Sequence, residues 1–506
     1  MERANLLQLQ NGSDVRGIAL TGMKGENINL TPDAVKNIAA SYVLWMAEKC
    51  NKPTGELIIG VGHDSRLSAD SLKNGVIDGL LLAGCQVMDC GLCSTPSMFM
   101  GIVFKETNFD GSIMITASHL PFNRNGLKFF SQSGGLNSTD IKEILLKAEN
   151  LTLPERSNDR QANKLNLIDF YSRFLRDKIK QEVVSEDYDH PLKGLKIVVD
   201  AGNGSGGFFV EQVLKPLGAD TEGSQFLNPD GNFPNHIPNP ENEAAMESIQ
   251  KATLDSKADL GIIFDTDVDR AAVVFANGEE VNRNRLIGLT AAILSKYHPH
   301  TTIVTDSVTS DHLTEFVENT LDMKHRRFKR GYKNVINEAI RLNREGVETH
   351  IAIETSGHCA FKENYFQDDG AYLVVKVLIE AAICRNQGRT IETLIKDLKE
   401  PKESKEFRMK ITAEDYKTYG VNLLKSFEEY AAKQPGFYPV ANNYEGIRVS
   451  IRDKKVTGWM LLRVSLHDPL MPMNIEADTK DGVNVITNRL MPFLEKQKQL
   501  DITSLK

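Results

Sequence analysis

The sequence has 506 residues, too many for a single hydrophobic core, and predicts three to four domains. Apolar residues make up 41% of the chain and charged residues 25%, and no apolar run reaches the roughly 18 residues of a membrane span, so we expect a globular protein without a membrane partner. A net charge of −8 argues against a nucleic-acid partner, because nucleic-acid-binding surfaces are basic.

The N-terminus, MERANLLQLQNGSDVRG, has no long apolar segment and no small-residue cleavage pattern, so we expect no secretory signal and a cytoplasmic location. A plastid location is the alternative if a transit peptide is absent from this chain. The six cysteines include one isolated C-x-x-C, Cys90 to Cys93. We expect free buried thiols, with a zinc or redox role as the alternative.

The first third of the chain alternates between strand and helix patterns. Residues 57–62 and 87–90 are typical of buried strands, and residues 69–83 carry apolar side chains at helical spacing. This alternation predicts βαβ units and a mainly parallel sheet.

A third apolar run, residues 113–115, leads to a loop that Pro121, Asn123, Asn125 and Gly126 keep from forming a helix. The loop carries Ser118, with His119 beside it and Lys128 after it. A nucleophile, a possible proton carrier and a cation thus follow one strand, which is a candidate site. The alternative is an ordinary polar turn.

The second third begins after a polar stretch, residues 150–166, where we place a domain boundary. A helix is predicted over 167–184 and a strand over 195–200. The following DAGNGSGG, residues 200–207, fits the dinucleotide-binding fingerprint poorly.

Residues 260–264 form another buried-strand run, which ends in Asp265, Asp267, Asp269 and Arg270. Alternating carboxylates at a strand end repel one another unless a cation lies between them, and a hard divalent metal is the natural occupant. The alternative is a solvated acidic turn. Arg270 would place a guanidinium beside the metal, an arrangement suited to phosphate chemistry.

Further strands are predicted over 303–305 and 350–353, and the second leads directly to Glu354 and Ser356. A carboxylate and a hydroxyl can hold neighbouring sugar hydroxyls. The basic residues 326–333, RRFKRGYK, are typical of a solvated face. Residues 396–407 have the composition of a linker, and the strands predicted over 446–452 and 459–465 indicate a last domain with an antiparallel sheet and helices on one face.

Four of these stretches, in this order, resemble motifs of the α-D-phosphohexomutase superfamily, the phosphoglucomutases and phosphomannomutases. TASHLPFNRNGLK around Ser118 is similar to the phosphoserine loop, DTDVDR from Asp265 to the Mg²⁺ loop, ETSGH from Glu354 to the sugar-binding ExSGH, and Arg463-Val464-Ser465 to the phosphate-binding RxSGTEP. The chain departs from the pattern at Leu120, where asparagine is usual, and at Leu466-His467, where Gly-Thr is usual. A leucine in place of that glycine puts the close approach of backbone amides to a phosphate in doubt.

The resemblance implies roles for individual residues. Ser118, His119, Lys128 and Arg270 would be catalytic; Ser118, Asp265, Asp267 and Asp269 would bind Mg²⁺; and Arg16, in a DVRG similar to the family's opening DIRG, with Lys333, Glu354, Ser356, Arg463, Ser465 and His467, would bind substrate.

The resemblance also implies an α/β fold of four domains, three βα domains with mixed, mainly parallel sheets and a C-terminal α+β domain with an antiparallel sheet, over residues 1–157, 158–280, 281–400 and 401–506. The implied enzyme interconverts hexose 1-phosphate and hexose 6-phosphate, of glucose or mannose, through a phosphoserine, with Mg²⁺ and a hexose 1,6-bisphosphate primer, as a monomer or homodimer. A phosphoglucosamine mutase, a hexose 1,6-bisphosphate synthase and a non-catalytic phosphosugar-binding homologue are the alternatives.

Overall fold

The computed structural model describes residues 5–154, 161–465 and 468–505. Its contacts divide the chain into two compact units: unit 1 is Met1–Asn282 with Ser356–Thr393, and unit 2 is Arg283–Thr355 with Leu394–Lys506. Within the described ranges, every helix is too short or too polar to cross a bilayer. The boundary predicted between residues 157 and 158 lies outside the described residues.

The N-terminal part of unit 1 is an eight-stranded mixed sheet with helices packed against it. Its elements are β1 (Gln10–Asn11), β2 (Asp14–Ile18), α1 (Pro32–Cys50), β3 (Ile58–His63), α2 (Ala69–Leu82), β4 (Gln86–Leu92), α3 (Thr95–Val103), β5 (Gly111–Ile115), β6 (Arg124–Ser131), β7 (Gly134–Gly135), α4 (Ser138–Asn150) and β8 (Asn163–Lys164). The strand order is β1-β2-β6-β5-β3-β4-β8, with β7 on β6. Strands β5, β3, β4 and β8 are parallel, and β6 runs antiparallel to β5 and β2.

The helices of this part are fixed by local signals and by close packing. Helix α1 begins at Pro32 behind Thr31, whose hydroxyl accepts a hydrogen bond from the Ala34 amide at 3.2 Å. Alternate residues of β5, Ile113 and Ile115, lie in the core that α1, α2 and α4 share with the sheet. Strand β5 therefore ends at a fixed place, directly before the Ser118 loop.

The second part of unit 1 is a four-stranded sheet of order β12-β11-β10-β9. Its elements are α5 (Leu167–Glu182), β9 (Ile197–Asp200), α6 (Glu243–Ser256), β10 (Leu260–Phe264), β11 (Ala271–Phe275) and β12 (Glu280–Val281). Strand β10 is parallel to β9 and antiparallel to β11, with Phe264 opposite Ala271. This hairpin holds both ends of the acidic loop, residues 265–270. The glycine-rich stretch, residues 200–207, packs closely against that loop, since a Cβ on Gly204 would lie only 2.6 Å from the Thr266 carbonyl oxygen.

Unit 2 begins with three parallel strands in the order β14-β13-β15. The elements are α7 (Arg283–Ser295), β13 (Thr302–Thr305), α8 (Asp311–Glu315), β14 (Lys324–Arg327), α9 (Tyr332–Arg344) and β15 (Thr349–Ile353). The basic stretch is not simply a solvated face: Arg327 donates to Asp311 at 2.8 Å, and Arg326 pairs with the buried Glu338 at 3.0 Å.

The chain then returns to unit 1, where an antiparallel strand pair precedes a long, almost entirely buried helix. These elements are β16 (Cys359–Phe361), β17 (Gln367–Asp368) and α10 (Gly370–Asn386). Asp369 caps α10 by accepting a hydrogen bond from the Tyr372 amide at 2.8 Å.

The last part of unit 2 is a six-stranded antiparallel sheet of order β19-β20-β21-β22-β18-β23. The elements are β18 (Glu403–Ile411), α11 (Tyr416–Ala432), β19 (Phe437–Pro439), β20 (Ile447–Arg452), β21 (Thr457–Leu462), β22 (Leu470–Ala477), α12 (Gly482–Leu494) and β23 (Leu500–Asp501). Both helices share one core with the sheet, so the predicted C-terminal architecture is confirmed.

The linker predicted over residues 396–407 is wrong in its second half. Glu403 begins β18, which lies inside the sheet between β22 and β23. Phe407, Met409 and Ile411 are buried, while Arg408 and Lys410 point to solvent from the other face. The charged outer face, together with the charged residues Glu403 and Lys405 at the start of the strand, therefore gave the segment a linker-like composition.

Candidate active site

Ser118 lies three residues after β5 and is almost completely buried. Its backbone is in the left-handed region, with φ at +49°, which is uncommon for a residue with a side chain. The Ser118 amide donates to the Thr116 hydroxyl oxygen at 2.9 Å, and its own hydroxyl donates to Asp265 Oδ2 at 2.9 Å and lies 3.2 Å from His119 Nδ1. The turn thus presents one fixed hydroxyl to a carboxylate from a distant strand.

Arg66 supports the Ser118 turn through hydrogen bonds, and its side chain is fully buried. Nη2 donates to the carbonyl oxygens of Ser118 and Leu120, both at 2.5 Å, and Nη1 donates to those of Pro121 and Arg124 at 2.8 and 3.0 Å. Asp64, also buried, pairs with Arg66 Nε at 3.4 Å. One guanidinium therefore binds four carbonyl groups of the Ser118 loop.

Asp265, Asp267 and Asp269 follow β10 and are all buried. One oxygen from each carboxylate lies within 4.8 Å of the others. The turn that brings the three carboxylates together includes Val268, whose φ of +65° is in the left-handed region. Thr95, at the start of α3, donates its amide to the Asp267 carbonyl oxygen at 2.8 Å and its hydroxyl to the Asp267 carboxylate.

Cations surround these carboxylates. Lys128 Nζ, also buried, donates to Asp269 and lies 3.3 Å from Asp267 Oδ2. Burial, with the neighbouring charges of Asp269 and Asp267, raises the pKa of Asp265 well above its usual value. Burial also opposes the ionised form of Asp269, yet Lys128 and Arg270 prevail and lower its pKa.

The donor set fits a hard divalent cation. Within the part of the chain that the structure describes, Asp267 Oδ1 and Asp269 Oδ1 are buried without a hydrogen-bond partner. A buried carboxylate oxygen without a partner is unfavourable, and a cation bound by oxygen ligands would satisfy both.

Two further predicted residues adjoin Ser118. Burial and the charge of Arg270 lower the pKa of His119 to about 3, so this imidazole is neutral at physiological pH. Arg16 pairs with Asp14 at 2.7 Å and donates to the Thr116 carbonyl oxygen, two residues before Ser118.

Arg270 connects the acidic loop to the end of the ETSGH motif. Its Nε donates to His358 Nε2 at 3.1 Å, and His358 Nδ1 lies 3.0 Å from the Ser356 hydroxyl. Since Nε2 accepts, Nδ1 carries the proton and donates to Ser356. Burial and the charge of Arg270 lower the pKa of His358, consistent with a neutral ring.

Unit 2 holds the other predicted residues, beginning with Glu354 after β15. Glu354 Oε1 accepts a hydrogen bond from the Gly331 amide at 2.6 Å. Lys333 lies two residues further on, in the first turn of α9, and is half-buried.

Arg463 and Ser465 follow β21, which ends at Leu462 and not at the predicted residue 465. Arg463 is buried, and among the described residues its Nε has no hydrogen-bond partner. The Ser465 amide donates to the Leu470 carbonyl oxygen at 2.9 Å. The predicted His467 and its neighbour Leu466 lie outside the described residues.

Two other sequence features lie apart from these sites. Cys90 and Cys93 are buried free thiols, as expected. His236 lies between β9 and α6, in a stretch with four prolines over residues 228–240. Its Nε2 lies 3.0 Å from both carboxylate oxygens of the buried Asp200.

Comparison with known proteins identifies the family. Models of phosphoglucomutase/phosphomannomutase α/β/α domains I, II and III match residues 7–153, 171–278 and 282–401. A phosphomannomutase/phosphoglucomutase from Pseudomonas syringae pv. tomato is 30% identical over 428 residues, 83% of each chain. The chain belongs to the phosphoglucomutase/phosphomannomutase family. It is thus a phosphohexomutase, an intramolecular phosphotransferase of the α-D-phosphohexomutase superfamily.

Other relatives within the superfamily carry different names. A phosphoglucomutase from Neisseria gonorrhoeae is 27% identical over 494 residues, 96% of each chain, and a phosphoglucosamine mutase from Pediococcus pentosaceus is 27% identical over 97% of this chain and 99% of its own. A phosphoglucomutase/phosphomannomutase family protein from Burkholderia thailandensis has the same fold, with a TM-score of 0.78, 24% identity and 98% of both chains covered. The four-domain α/β phosphohexomutase fold is confirmed.

The structure adds two residues to the site that the sequence did not single out, Arg66 and Thr95. Each follows the carboxyl end of a strand, β3 or β4, that is parallel to β5. Parallel strands end at the same edge of a sheet. Residues that follow the predicted strands β3 and β4 could therefore have been expected near Ser118.

Proposed function

We propose that this phosphohexomutase interconverts hexose 1-phosphate and hexose 6-phosphate, with glucose or mannose as the hexose, through phosphorylated Ser118 and a hexose 1,6-bisphosphate intermediate. The observation that supports this most is the buried Ser118 hydroxyl, fixed by a left-handed turn and directed at Asp265 in a cluster of three carboxylates. A solvated polar turn needs none of this geometry.

The metal in this proposal is Mg²⁺, held by Asp265, Asp267 and Asp269 and by the phosphorylated Ser118. An all-oxygen, carboxylate-rich set suits Mg²⁺ better than softer metals. When bound, the ion would supply charge neutralisation on the phosphoryl oxygens.

The chain's own residues would divide the remaining work. In the transfer step, the bond from phosphorus to Ser118 Oγ breaks, a bond from phosphorus to a free hexose hydroxyl forms, and the hydroxyl proton must pass to a base. Arg270 would neutralise charge beside the acidic loop. We propose His119 as the proton carrier because its Nδ1 lies 3.2 Å from Ser118 Oγ. The negative charge of the phosphate on Ser118 would favour the protonated imidazole and so oppose the effect of burial and Arg270 on the pKa of His119.

Lys128 is a weaker candidate for the proton carrier. A lysine acts as a base when cationic neighbours favour its neutral form, whereas the neighbours of Lys128 at the site include two carboxylates, Asp267 and Asp269. We therefore propose that Lys128 acts as a fixed cation that neutralises the acidic loop before and during transfer.

The residues that we propose for substrate binding are Arg16, Lys333, Glu354, Ser356, Arg463, Ser465 and His467. Glu354, whose carboxylate position is set by the Gly331 amide, would accept hydrogen bonds from sugar hydroxyls. Lys333, Arg463 and Ser465 would bind the phosphate that is not being transferred. His467 would contribute a ring N–H where the family usually has a threonine hydroxyl.

A second candidate substrate class is the hexosamine phosphates, because a phosphoglucosamine mutase matches nearly the whole chain. A coupled assay over the 1-phosphates of glucose, mannose, glucosamine and N-acetylglucosamine, with Mg²⁺ and the matching 1,6-bisphosphate, separates the two. We expect turnover of the glucose or mannose ester. Turnover of the glucosamine ester alone would select the second class, and turnover of none, with Ser118→Ala as the background control, would overturn the proposal.

A further inference from the structure

Arg330 lies in the connection between β14 and α9, at the centre of a hydrogen-bond network within unit 2. Its amide donates to Glu445 Oε2 at 3.1 Å, and the next amide, that of Gly331, donates to Glu354 Oε1 at 2.6 Å. Gly331 has a φ of +109°, which a side chain would strain. Two consecutive amides thus tie Glu354 of the sugar-binding motif to Glu445, which precedes β20 in the C-terminal domain.

The direction of the Arg330 side chain is fixed by a buried carboxylate. Its Nε lies 3.5 Å from Asp306 Oδ2, and Asp306 is itself held by the amide and hydroxyl of Thr355 at 3.3 and 2.7 Å. The Arg330 side chain remains 24% exposed. It is therefore a positioned guanidinium with access to a ligand, and not a residue of the core.

Arg463 packs beside the neighbour of Glu445, since a Cβ on Gly446 would lie only 2.8 Å from Arg463 Cβ. It is only 7% exposed, and among the described residues its Nε has no hydrogen-bond partner, so a donor is buried there without an acceptor. Burial lowers the pKa of Arg463, and the charge of Arg330 lowers it further, although the carboxylates of Glu445, Glu406 and Asp306 act in the opposite direction. A buried guanidinium with an unsatisfied donor, in the electrostatic field of a second arginine, would be stabilised by an anion with several acceptor oxygens.

We propose that Arg330 is a substrate-binding residue that, together with Arg463, holds the phosphate monoester of the hexose phosphate that is not being transferred. The inference rests on the proposed function and extends it, because Arg330 does not belong to any of the motifs that resemble the family's. It also accounts for a departure in the sequence. The stretch after Ser465 has Leu466-His467 where the family usually has Gly-Thr. In the proposed site, Arg330 replaces phosphate contacts that the Gly-Thr pair would have supplied.

The test compares Arg330→Gln, Arg330→Lys and the matched control Arg341→Gln. Arg341 also carries carboxylate pairs, to Glu338 and Glu345, but lies half-exposed on α9. Two quantities are measured for each variant: the steady-state constants with the best hexose 1-phosphate, and the Kd for glucose, mannose and glucosamine 6-phosphates by titration calorimetry. Melting temperature and Ser118 phosphorylation are recorded alongside.

We expect Arg330→Gln to raise KM and the Kd for the hexose 6-phosphate about ten-fold to a hundred-fold, the range of a lost charge-assisted hydrogen bond, while kcat changes less than about three-fold. Arg330→Lys should recover part of the affinity, and Arg341→Gln should match the wild type. If the wild type binds a hexose 6-phosphate without turning over any ester, and Arg330→Gln weakens that binding, the inference stands and the proposed activity fails.

Three results would overturn the inference. Unchanged KM and Kd in Arg330→Gln would do so and would leave the proposed activity intact. An equal loss of hexose 6-phosphate affinity in Arg330→Gln and Arg330→Lys, with a lower melting temperature and a lower kcat, would show that Arg330 only supports the fold through Asp306. Failure of the wild type to bind any of the three hexose 6-phosphates would refute the inference and the proposed function together.

Discussion

Replacing Arg66 by methionine removes the group that holds the Ser118 turn. The guanidinium is fully buried and donates four hydrogen bonds of 2.5 to 3.0 Å to the loop's carbonyl oxygens. It also pairs with the buried Asp64, a carboxylate whose pKa is raised by burial and lowered by Arg66. Methionine fills much of the same volume but provides neither hydrogen-bond donors nor a charge.

The expected loss of unfolding free energy follows from those contacts. Removing one partner of a buried ion pair costs about 3–5 kcal/mol, because the other charge is left uncompensated. Each carbonyl left without a donor costs roughly 1–3 kcal/mol when water does not reach it, and these costs are not additive. We therefore expect Arg66→Met to destabilise the protein by about 4–7 kcal/mol, a large part of the ~5–15 kcal/mol by which domains are stable.

The assay is urea unfolding followed by tryptophan fluorescence, with Ser118 phosphorylation measured by mass spectrometry. Arg124→Lys is the matched control: Arg124 begins β6 directly after the loop, and the ion pair of its side chain within the described residues is a partly exposed one with Glu26, so the change should cost less than about 1 kcal/mol. Adding Asp64→Asn to Arg66→Met should restore part of the stability, because the unpaired charge disappears. A loss below about 1 kcal/mol in Arg66→Met, or no recovery in the double variant, would refute the reasoning.

Three other predictions concern metal, substrate and pH. Asp267→Asn should lower turnover at least a hundred-fold and raise the Mg²⁺ concentration needed, because the proposed Mg²⁺ site would lose one of its charged ligands; turnover that survives exhaustive chelation in the wild type would contradict this. Arg463→Ala should raise KM at least ten-fold without altering Ser118 phosphorylation, since in the proposed mechanism the two residues bind different phosphates; an equal loss of substrate affinity and of phosphorylation would contradict it. Burial opposes the charged form of His236, but its hydrogen bond to Asp200 prevails and raises the pKa of His236, so the stabilisation is complete below about pH 6.5 and is lost as pH rises through the folded-state pKa. His236→Gln should therefore flatten the melting temperature between pH 6 and 8, and an unchanged pH profile would show that this pair does not contribute.

Segments with one dominant local signal were predictable from the sequence. The strand predicted over residues 260–264 has the observed bounds, because an apolar run between charged neighbours has one favourable state in a buried sheet. The Ser118 loop was predictable for a similar reason, since its proline, asparagines and glycine exclude a helix. The order of the four motifs then sufficed to indicate the family, and the alternating carboxylates sufficed to indicate the acidic loop as a candidate metal site.

Features that depend on pairing between distant segments were not predictable. Strand β18 was interpreted as a linker in its first half because its outer face is charged, and only its neighbours β22 and β23 show that it is a strand. The support that Arg66 gives to the Ser118 loop depends on four carbonyl groups, which leave no trace in side-chain composition. Arg327 was placed on a solvated face, whereas the fold pairs it with Asp311.

The most direct test of the central claim is a single turnover of the phosphorylated enzyme. Enzyme carrying phosphate on Ser118 is mixed, without added bisphosphate, with an equimolar hexose 1-phosphate and Mg²⁺, and the products are quantified by mass spectrometry. The account predicts that the phosphate leaves Ser118 and appears as an equal amount of hexose 1,6-bisphosphate, and that Ser118→Ala forms none. Release of inorganic phosphate in place of the bisphosphate, or phosphate that stays on Ser118 while hexose 6-phosphate forms, would contradict it.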